Sequence, residues 1–234
     1  MSRVLAIVPA RGGSKGVPGK NIRKLAGRTL LDYTALAARD SGVIDRIVLS
    51  TDSDEIADAG KRAGLEVAFM RPSSLAQDDT PMLPVVQHAV ETLAADGWAT
   101  DVVVLLQPTS PLRRSSHVRE AVTTLQQTKA DSVVTVVELP RHLSPDYVMR
   151  IEDGLLRPFL TEGASVTRRQ DARPAYSRDG TVYTCWRTTI EKWGNIYGER
   201  CQPLIIDAAD SLSIDSPADW AEAERRLAER QAPG

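Results

Sequence analysis

The thirteen residues PARGGSKGVPGKN, from Pro9 to Asn21, combine residue types that suit phosphate groups. They include the glycines Gly12, Gly13, Gly16 and Gly19 and the cations Arg11, Lys15 and Lys20. Glycines let a backbone approach a ligand closely, and Arg and Lys donate charge-assisted hydrogen bonds to phosphate oxygens. The stretch follows the apolar run VLAIV, which is typical of a short buried strand. We therefore predict a polyanion-binding loop at the end of a sheet strand.

This loop matches neither of two common phosphate-binding motifs. A Walker A motif needs Ser or Thr directly after its GK pair, but Asn21 follows Lys20, and five residues separate Gly13 from Gly19. The dinucleotide-binding motif GxGxxG fails as well, because Gly12 and Gly13 are adjacent. The alternative is a flexible surface loop whose cations face water, but that does not explain why glycines and cations coincide after a strand.

Two later stretches also present polar side chains after apolar runs. The first, LLQPTSPLRRS, carries Gln107, Thr109, Ser110 and Arg113. Its prolines restrict the backbone and so hold hydrogen-bonding groups in place, although Ser110 can equally serve only to shape a turn before a helix. The second, SLSIDSPADW, carries Asp215, whose carboxylate suits a hard divalent cation. Alternatively, Asp215 is an ordinary residue that only precedes the helix cap Ser216.

An alternation of strands and helices must position these loops. The predicted strands are Val4 to Val8, Arg46 to Thr51, Glu66 to Met70, Asp101 to Gln107 and Ser132 to Glu138. The predicted helices are Thr29 to Ser41, Asp54 to Ala63, Met82 to Ala95 and Ser115 to Gln127. Strands such as DVVVLLQ are apolar on both faces, as in parallel strands covered by helices. The pattern predicts an α/β fold with a doubly wound, mostly parallel, Rossmann-like sheet, in which ligands bind beyond the carboxyl ends of the strands.

Regular patterning stops between Pro140 and Asp179, in a stretch that contains seven arginines. Short strands are predicted near Tyr147 to Ile151 and Leu155 to Phe159. A long excursion of this kind is usually a functional flap or an oligomer contact. Beyond it, GTVYTCW and QPLIID predict strands, and Ala218 to Arg230 predicts a closing helix. We expect one domain over residues 1–234, with 140–179 as an inserted dimerisation and sugar-binding flap.

Composition limits the class of protein. The 234 residues are 42% hydrophobic and 26% charged, which excludes a disordered chain. The net charge of -2 offers no general attraction to nucleic acid or membrane, and no stacking aromatics interleave with the basic residues. No apolar run reaches the length of a signal peptide core or a membrane span. We expect a cytoplasmic protein with neither nucleic acid nor membrane as partner.

Several stretches together resemble the acylneuraminate cytidylyltransferase family, which comprises the CMP-sialic acid synthetases and related enzymes for other nonulosonic acids. The matching stretches are PARGGSKGVPGKN, RIVLSTDSDEIA, RPSSLAQDDTP, LLQPTSPLR, RRQDARPAYSRDGTVY and SIDSPADW. The resemblance implies a nucleotidyltransferase fold and a CTP-dependent reaction. In that reaction the anomeric hydroxyl of a sugar acid attacks the α-phosphorus of CTP and releases pyrophosphate. It also implies a Mg²⁺ cofactor and a homodimer.

The resemblance assigns residues to the nucleotide side of the site. Arg11, Lys15 and Lys20 are expected on the triphosphate, where their charge would offset that of the leaving pyrophosphate. The nucleotide is further expected to contact Pro9, Ala10, Gly12, Gly13, Ser14, Asn21 and Arg71. The expected catalytic residues are Arg11, Lys20 and Asp215, and Asp215 is also the expected metal ligand. For Arg71 the alternative is a buried structural ion pair.

The residues expected on the acceptor side come from the second stretch and the flap. They are Gln107, Thr109, Ser110, Arg168, Arg169, Gln170 and Tyr176. A guanidinium of the RRQ element can bind the carboxylate of the acid in bidentate fashion, whereas Tyr176 is equally compatible with a core aromatic. The flap is expected to reach the partner subunit, so that Arg168 and Arg169 complete the neighbouring site.

The sequence departs from the family pattern in three places. One is the segment ELPRHLSPDYVMR, which differs from the usual sialic acid pattern, so the resemblance does not fix which nine-carbon acid is used. The other two are single positions. Ser213 stands where many members carry a second aspartate, so either phosphate oxygens and water complete the metal shell around Asp215, or Asp207 or Asp210 contributes. Thr109 stands where the enzymes for the eight-carbon acid Kdo carry an acidic residue, which disfavours that acceptor. Two other functions stay open: a nucleotidyltransferase for another sugar acid or an alcohol, and a non-catalytic nucleotide-binding protein.

Overall fold

The structure is a computed structural model and describes residues 2–13, 16–161 and 168–231, with only the backbone of Arg169 and Gln231. The strands are β1 (Val4–Pro9), β2 (Arg46–Ser50), β3 (Val102–Leu105), β4 (Ser132–Glu138), β5 (Met149–Glu152), β6 (Leu155–Pro158), β7 (Tyr176–Trp186) and β8 (Cys201–Ile205). The helices are α1 (Leu30–Arg39), α2 (Asp54–Arg62), α3 (Met82–Ala95), α4 (Ser115–Gln127), α5 (Arg187–Trp193) and α6 (Pro217–Gln231).

Six of the strands form one sheet in the order β2-β1-β3-β7-β4-β8. The pairs β1/β2, β1/β3 and β4/β8 are parallel, whereas β7 runs antiparallel to both of its neighbours, β3 and β4. The prediction of an α/β fold with a mostly parallel sheet is confirmed. Because β1 and β3 are parallel neighbours, their carboxyl ends open at the same edge, which is where the predicted loops begin.

The predicted strand Glu66 to Met70 is wrong. Glu66 makes a single bridge to Val48 at the β2 edge, and the chain then leaves the sheet. Phe69 instead packs on the core below α3, with its ring 4.9 Å from that of His88 in an edge-to-face contact. The apolar residues of this segment pack against helix α3 and do not form a strand. A short apolar run by itself does not distinguish these two cases.

Apolar side chains cover both faces of the sheet. One face packs against α1 and α4 through residues such as Leu31, Ala35 and Val122, and the other packs against α3 through Val86 and Leu93. This two-sided burial explains why the strands lack polar alternation. Within the described residues, no helix combines the length and the apolar composition needed to cross a bilayer.

The segment between β4 and β7 forms a separate hairpin. Strands β5 and β6 pair antiparallel and turn at Asp153 and Gly154, which both have positive φ angles. At its base, Arg173 pairs with Asp146 and its hydrogen bonds hold the pKa of that carboxyl below its usual range. Ser144 Oγ also donates to the carbonyl of Arg173 at 3.0 Å. These polar contacts tie the two ends of the segment together.

Candidate active site

Three loops are anchored to one apolar cluster near the carboxyl ends of β1 and β3. They are the first loop (10–29), the second loop (106–114) and the third loop (206–216). Val17, Leu112 and Ile214, one from each loop, are at most 2% exposed and pack together with residues of α6. The Ile214 N–H also donates to the Thr109 carbonyl at 2.9 Å. Shared burial and this backbone bond hold loops that are distant in sequence against one another.

The loops enclose a cleft of about 400 Å³. Predicted site residues from the first loop and the end of β1 line it, namely Pro9, Arg11, Lys20 and Asn21. Predicted residues from the rest of the chain line it as well, namely Arg71, Gln107, Thr109 and Asp215. The cleft therefore brings cations, a carboxylate and neutral hydrogen-bonding groups into one concave site.

Lys20 is held directly beside Asp215. Its Nζ donates to the Ile214 carbonyl at 2.8 Å and lies 3.4 Å from Asp215 Oδ1. Ser213 Oγ donates to the other carboxylate oxygen of Asp215 at 3.0 Å. The Lys20 side chain is 16% exposed and that of Asp215 is 71% exposed. The lysine is thus immobilised at the wall of the cleft, while the carboxylate opens onto it.

Gly16 lets the first loop pack on the third. A Cβ built on Gly16 would lie 1.9 Å from the backbone oxygen of Asp215, so no other residue fits without a shift of one loop. The glycine-rich composition of the first loop therefore has a packing purpose beside ligand approach.

Two further groups of the first loop are held by carboxylates. Arg11 forms an ion pair with Asp78, and the Gly12 N–H donates to Asp52 Oδ1 at 3.0 Å. Asn21 Nδ2 donates to the Arg11 carbonyl at 3.3 Å. The carboxylates of Asp78 and Asp52 thus accept from Arg11 and from the Gly12 N–H, which are donor groups of the kind that bind phosphate oxygens.

Arg71 enters the cleft from a buried position. It is 6% exposed, and its Nε donates to Ser50 Oγ at 3.0 Å. Its backbone N–H donates to the Thr51 carbonyl at 2.7 Å, which fixes the residue to the end of β2. Burial lowers the pKa of Arg71, and the charge of Asp52 partly opposes that shift. Its hydrogen bonds go to groups of Ser50 and Thr51. Hydroxyl and carbonyl oxygens therefore fix Arg71, where the alternative interpretation expected an ion pair.

The second loop contributes Gln107, Pro108 and Thr109 to the cleft wall. Ser110 lies behind them, 2% exposed, and its hydroxyl has no hydrogen-bond partner within the described part of the chain. Ala10 is also buried, at 2% exposed. Both residues therefore shape the cleft from behind its surface.

Arg113 supports the second loop from the interior, a function that sequence reasoning missed. It is 6% exposed and donates to the carbonyls of Gln107 and Thr181 and to Thr34 Oγ1. Burial lowers the pKa of Arg113 to about 9, against the opposing charge of Asp179. The sequence alone does not indicate that Arg113 is buried, because the next residue, Arg114, is also an arginine and its side chain is exposed.

Gly16, Met82, Pro108 and Ser213 line the cleft without having been predicted as site residues. Met82 begins α3, where an apolar side chain carries no chemical signal in the sequence. Ser213 could have been found, because it lies two residues before Asp215 and shares its loop.

None of the flap residues that the structure describes lines this cleft. Arg168 is exposed and its Nε donates to Asp171 Oδ2 at 2.8 Å. Gln170 and Tyr176 are exposed as well. Ser14, Lys15 and the side chain of Arg169 lie outside the described residues. Within one chain, the described flap residues are therefore absent from the cleft that contains Arg11, Lys20 and Asp215.

The donor set of the cleft suits a cation that is held mainly by its substrate. Within the described ranges, no three His, Cys, Asp or Glu side chains cluster as a metal site. Asp210 is buried among Arg114, His117 and Arg230, and Asp207 accepts from the Ala209 N–H, so both carboxylates have other partners. The candidate metal ligands in the cleft are therefore the Asp215 carboxylate and the neighbouring Ser213 hydroxyl oxygen. One carboxylate fits Mg²⁺, which commonly takes its other ligands from phosphates and water.

The chain is similar in sequence to known proteins. The family described as Cytidylyltransferase matches residues 5–186. A CMP-N,N'-diacetyllegionaminic acid synthase of Legionella pneumophila is 35% identical over 228 residues, which cover 96% of each chain. An N-acylneuraminate cytidylyltransferase of Streptococcus agalactiae is 29% identical over 92% of this chain and 51% of its own length.

Two solved structures share the fold. A CMP:2-keto-3-deoxy-manno-octonic acid synthetase complexed with CTP matches with a TM-score of 0.71 at 15% identity, over 98% of this chain and 100% of its own. A 4-diphosphocytidyl-2C-methyl-D-erythritol synthase of Anaerococcus prevotii matches with a TM-score of 0.66 at 15% identity, over 97% and 99%. On the family match and the 35% identical relative, this chain belongs to the cytidylyltransferase family.

Proposed function

We propose that this chain transfers CMP from CTP to the anomeric hydroxyl of a nonulosonic acid and releases pyrophosphate. One observation carries the proposal: a single cleft joins Arg11, Lys20 and Asp215 to the hydrogen-bonding groups of Gln107 and Thr109. Cations and a carboxylate suit a metal-bound triphosphate, and neutral hydrogen-bonding groups suit a hydroxylated acceptor. The names of the relatives support the same pairing of substrates.

The residues of the cleft act mainly by position and charge. The acceptor hydroxyl oxygen forms a bond to the α-phosphorus of CTP and its proton is released to solvent. The bond from the α-phosphorus to the oxygen that bridges to the β-phosphorus breaks, and pyrophosphate leaves with that oxygen. Negative charge grows on the leaving pyrophosphate, and the cations Arg11 and Lys20 of the cleft would offset it. A divalent cation held by Asp215 and phosphate oxygens would offset further charge. The Ile214 carbonyl keeps Lys20 in place before CTP arrives.

Asp78 is expected to compete with the triphosphate for Arg11. The Asp78→Asn variant should bind CTP more tightly, because the ion pair with Arg11 need not be broken. Exposed ion pairs are worth up to about 1 kcal/mol, so the KM for CTP should fall about two- to fivefold with little change in kcat. Asp79→Asn, the same change at the adjacent exposed residue, is the matched control. Equal KM values in the two variants would show that Asp78 does not compete.

The nature of the acceptor is tested by pyrophosphate release. Each nucleoside triphosphate is offered with N,N'-diacetyllegionaminic acid, N-acetylneuraminic acid or 2-keto-3-deoxy-manno-octonic acid, with Mg²⁺ present. We expect turnover with CTP and a nine-carbon acid, and little with the eight-carbon acid, since Thr109 offers no carboxylate. CTP binding without pyrophosphate release from any acid would instead identify a non-catalytic nucleotide-binding protein.

The chain is further proposed to work as a homodimer through the flap. Ile151, Leu156 and Phe159 of the hairpin segment are 75%, 67% and 56% exposed. Clustered apolar exposure of this kind marks an interaction surface. Because the described residues of the flap are absent from the lining of their own chain's cleft, a second copy is the proposed source of Arg168 and Arg169 for each site.

Mixing two inactive variants tests this arrangement. If Arg169 acts across the interface, Lys20→Ala and Arg169→Ala chains should form mixed dimers with one complete site. Random exchange at equal amounts restores about a quarter of wild-type sites, since half the dimers are mixed. Lys20→Ala mixed with Asp215→Asn is the control, because both changes fall in the same cleft. Activity no higher than in this control would show that one subunit builds the whole site.

A further inference from the structure

Gly180 lies in β7 behind the second loop. Its φ angle is +80°, a conformation that side-chain-bearing residues rarely adopt. A Cβ built there would lie 3.1 Å from Gln107 Oε1 and 3.9 Å from Ser110 Oγ. The missing side chain therefore leaves the space in which the Gln107 carboxamide lies against the β7 backbone.

Arg113 holds the same region from the other side. It is buried and donates to the carbonyl of Gln107 and, through Nε at 2.6 Å, to the carbonyl of Thr181. Thr181 directly follows Gly180, so one guanidinium joins the backbones of β7 and the second loop. The backbone of Gln107 is thus fixed by Arg113, and its side chain is confined by the surface at Gly180.

We propose that Gly180 is a positioning residue for the acceptor substrate, acting through Gln107. The inference rests on the proposed function, since it concerns how the cleft receives the sugar acid. A carboxamide both donates and accepts hydrogen bonds, so its orientation decides which hydroxyl pattern it can meet. Gln107 lies in the cleft wall with Thr109, and both offer uncharged hydrogen-bonding groups, whereas the phosphate-type charges of the same cleft are those of Arg11, Lys20 and Asp215. Displacing it should therefore affect the acid more than CTP.

The test is the Gly180→Ala variant, assayed with the acid that the wild type uses best. We expect the KM for the acid to rise about tenfold while the KM for CTP stays within about twofold, because small misplacements of positioning groups are costly. Adding Gly180→Ala to Gln107→Asn should change the KM for the acid little, since the shorter carboxamide has already lost the contact.

Gly97→Ala is the control for backbone strain. Gly97 has a φ angle of +82° with no atom within 4 Å of a built Cβ, so the variant carries similar strain without the contact. Melting temperatures of both variants report folding. If Gly180→Ala does not fold, Gly180→Asn supplies the same Cβ with less strain, because Asn tolerates positive φ better.

The outcomes separate the inference from the proposed function. An acid-specific rise in KM that is absent in Gly97→Ala and non-additive with Gln107→Asn supports Gly180 as a positioning residue. An unchanged KM for the acid, an equal rise for CTP, or full additivity with Gln107→Asn overturns it while the wild type still turns over. Absence of wild-type turnover with every acid overturns the proposed function, and the inference with it.

Discussion

Replacing Lys20 by alanine is expected to lower kcat about 100- to 1000-fold, the usual loss when one preorganised donor to a developing negative charge is removed. The ammonium group is fixed before substrate arrives, because Nζ donates to the Ile214 carbonyl at 2.8 Å and its side chain is largely buried. Such a donor needs little reorganisation as charge grows on the pyrophosphate. The measurement is the rate of pyrophosphate release at saturating CTP and acid.

Lys24→Ala is the matched control for this prediction. Lys24 lies in the same loop and is exposed, and it is absent from the cleft lining. Its removal changes the net charge equally, so kcat should stay close to that of the wild type. Melting temperatures of both variants separate lost chemistry from lost folding. Near-normal turnover in Lys20→Ala would contradict the catalytic assignment.

Replacing Asp215 by asparagine is expected to lower kcat at least about 100-fold, because a metal ion contributes several kcal/mol of charge stabilisation. Asparagine keeps the shape of the side chain and one oxygen ligand but loses the negative charge that attracts a cation. The loss should be partly recovered by raising the Mg²⁺ concentration, since phosphate oxygens and water would supply the other ligands of the proposed metal ion. The measurement is kcat as a function of Mg²⁺ concentration at saturating CTP.

Glu224→Gln provides the control for the charge change. Glu224 is an exposed carboxylate on α6, outside the cleft lining, so its neutralisation should leave the Mg²⁺ dependence unaltered. A second readout is Mn²⁺ binding in the presence of CTP, followed by electron paramagnetic resonance. The metal assignment would be wrong if Asp215→Asn kept both wild-type turnover and wild-type Mn²⁺ binding.

The sequence predicted helices and strands correctly where neighbouring residues give a clear signal, such as an apolar run or a helix cap. The strands β1 and β3 are continuous apolar runs, and helix α1 begins at a capping box formed by Thr29 and Asp32. The predicted strand Glu66 to Met70 is wrong, because an apolar run looks alike in an edge strand and in a segment that packs on a helix. The short helix α5 (Arg187–Trp193) was not predicted at all.

The amino-acid sequence alone determined most of the strand and helix order, the glycine-and-cation loop and the list of candidate polar groups, because each depends on neighbouring residues. The tertiary structure alone decided which of those groups meet. Lys20 reaches a carbonyl 194 residues away, Ser110 turns behind the wall that Gln107 forms, and the described flap residues stay apart from the cleft. Those outcomes follow from long-range packing of the three loops on Val17, Leu112 and Ile214, which no local periodicity encodes.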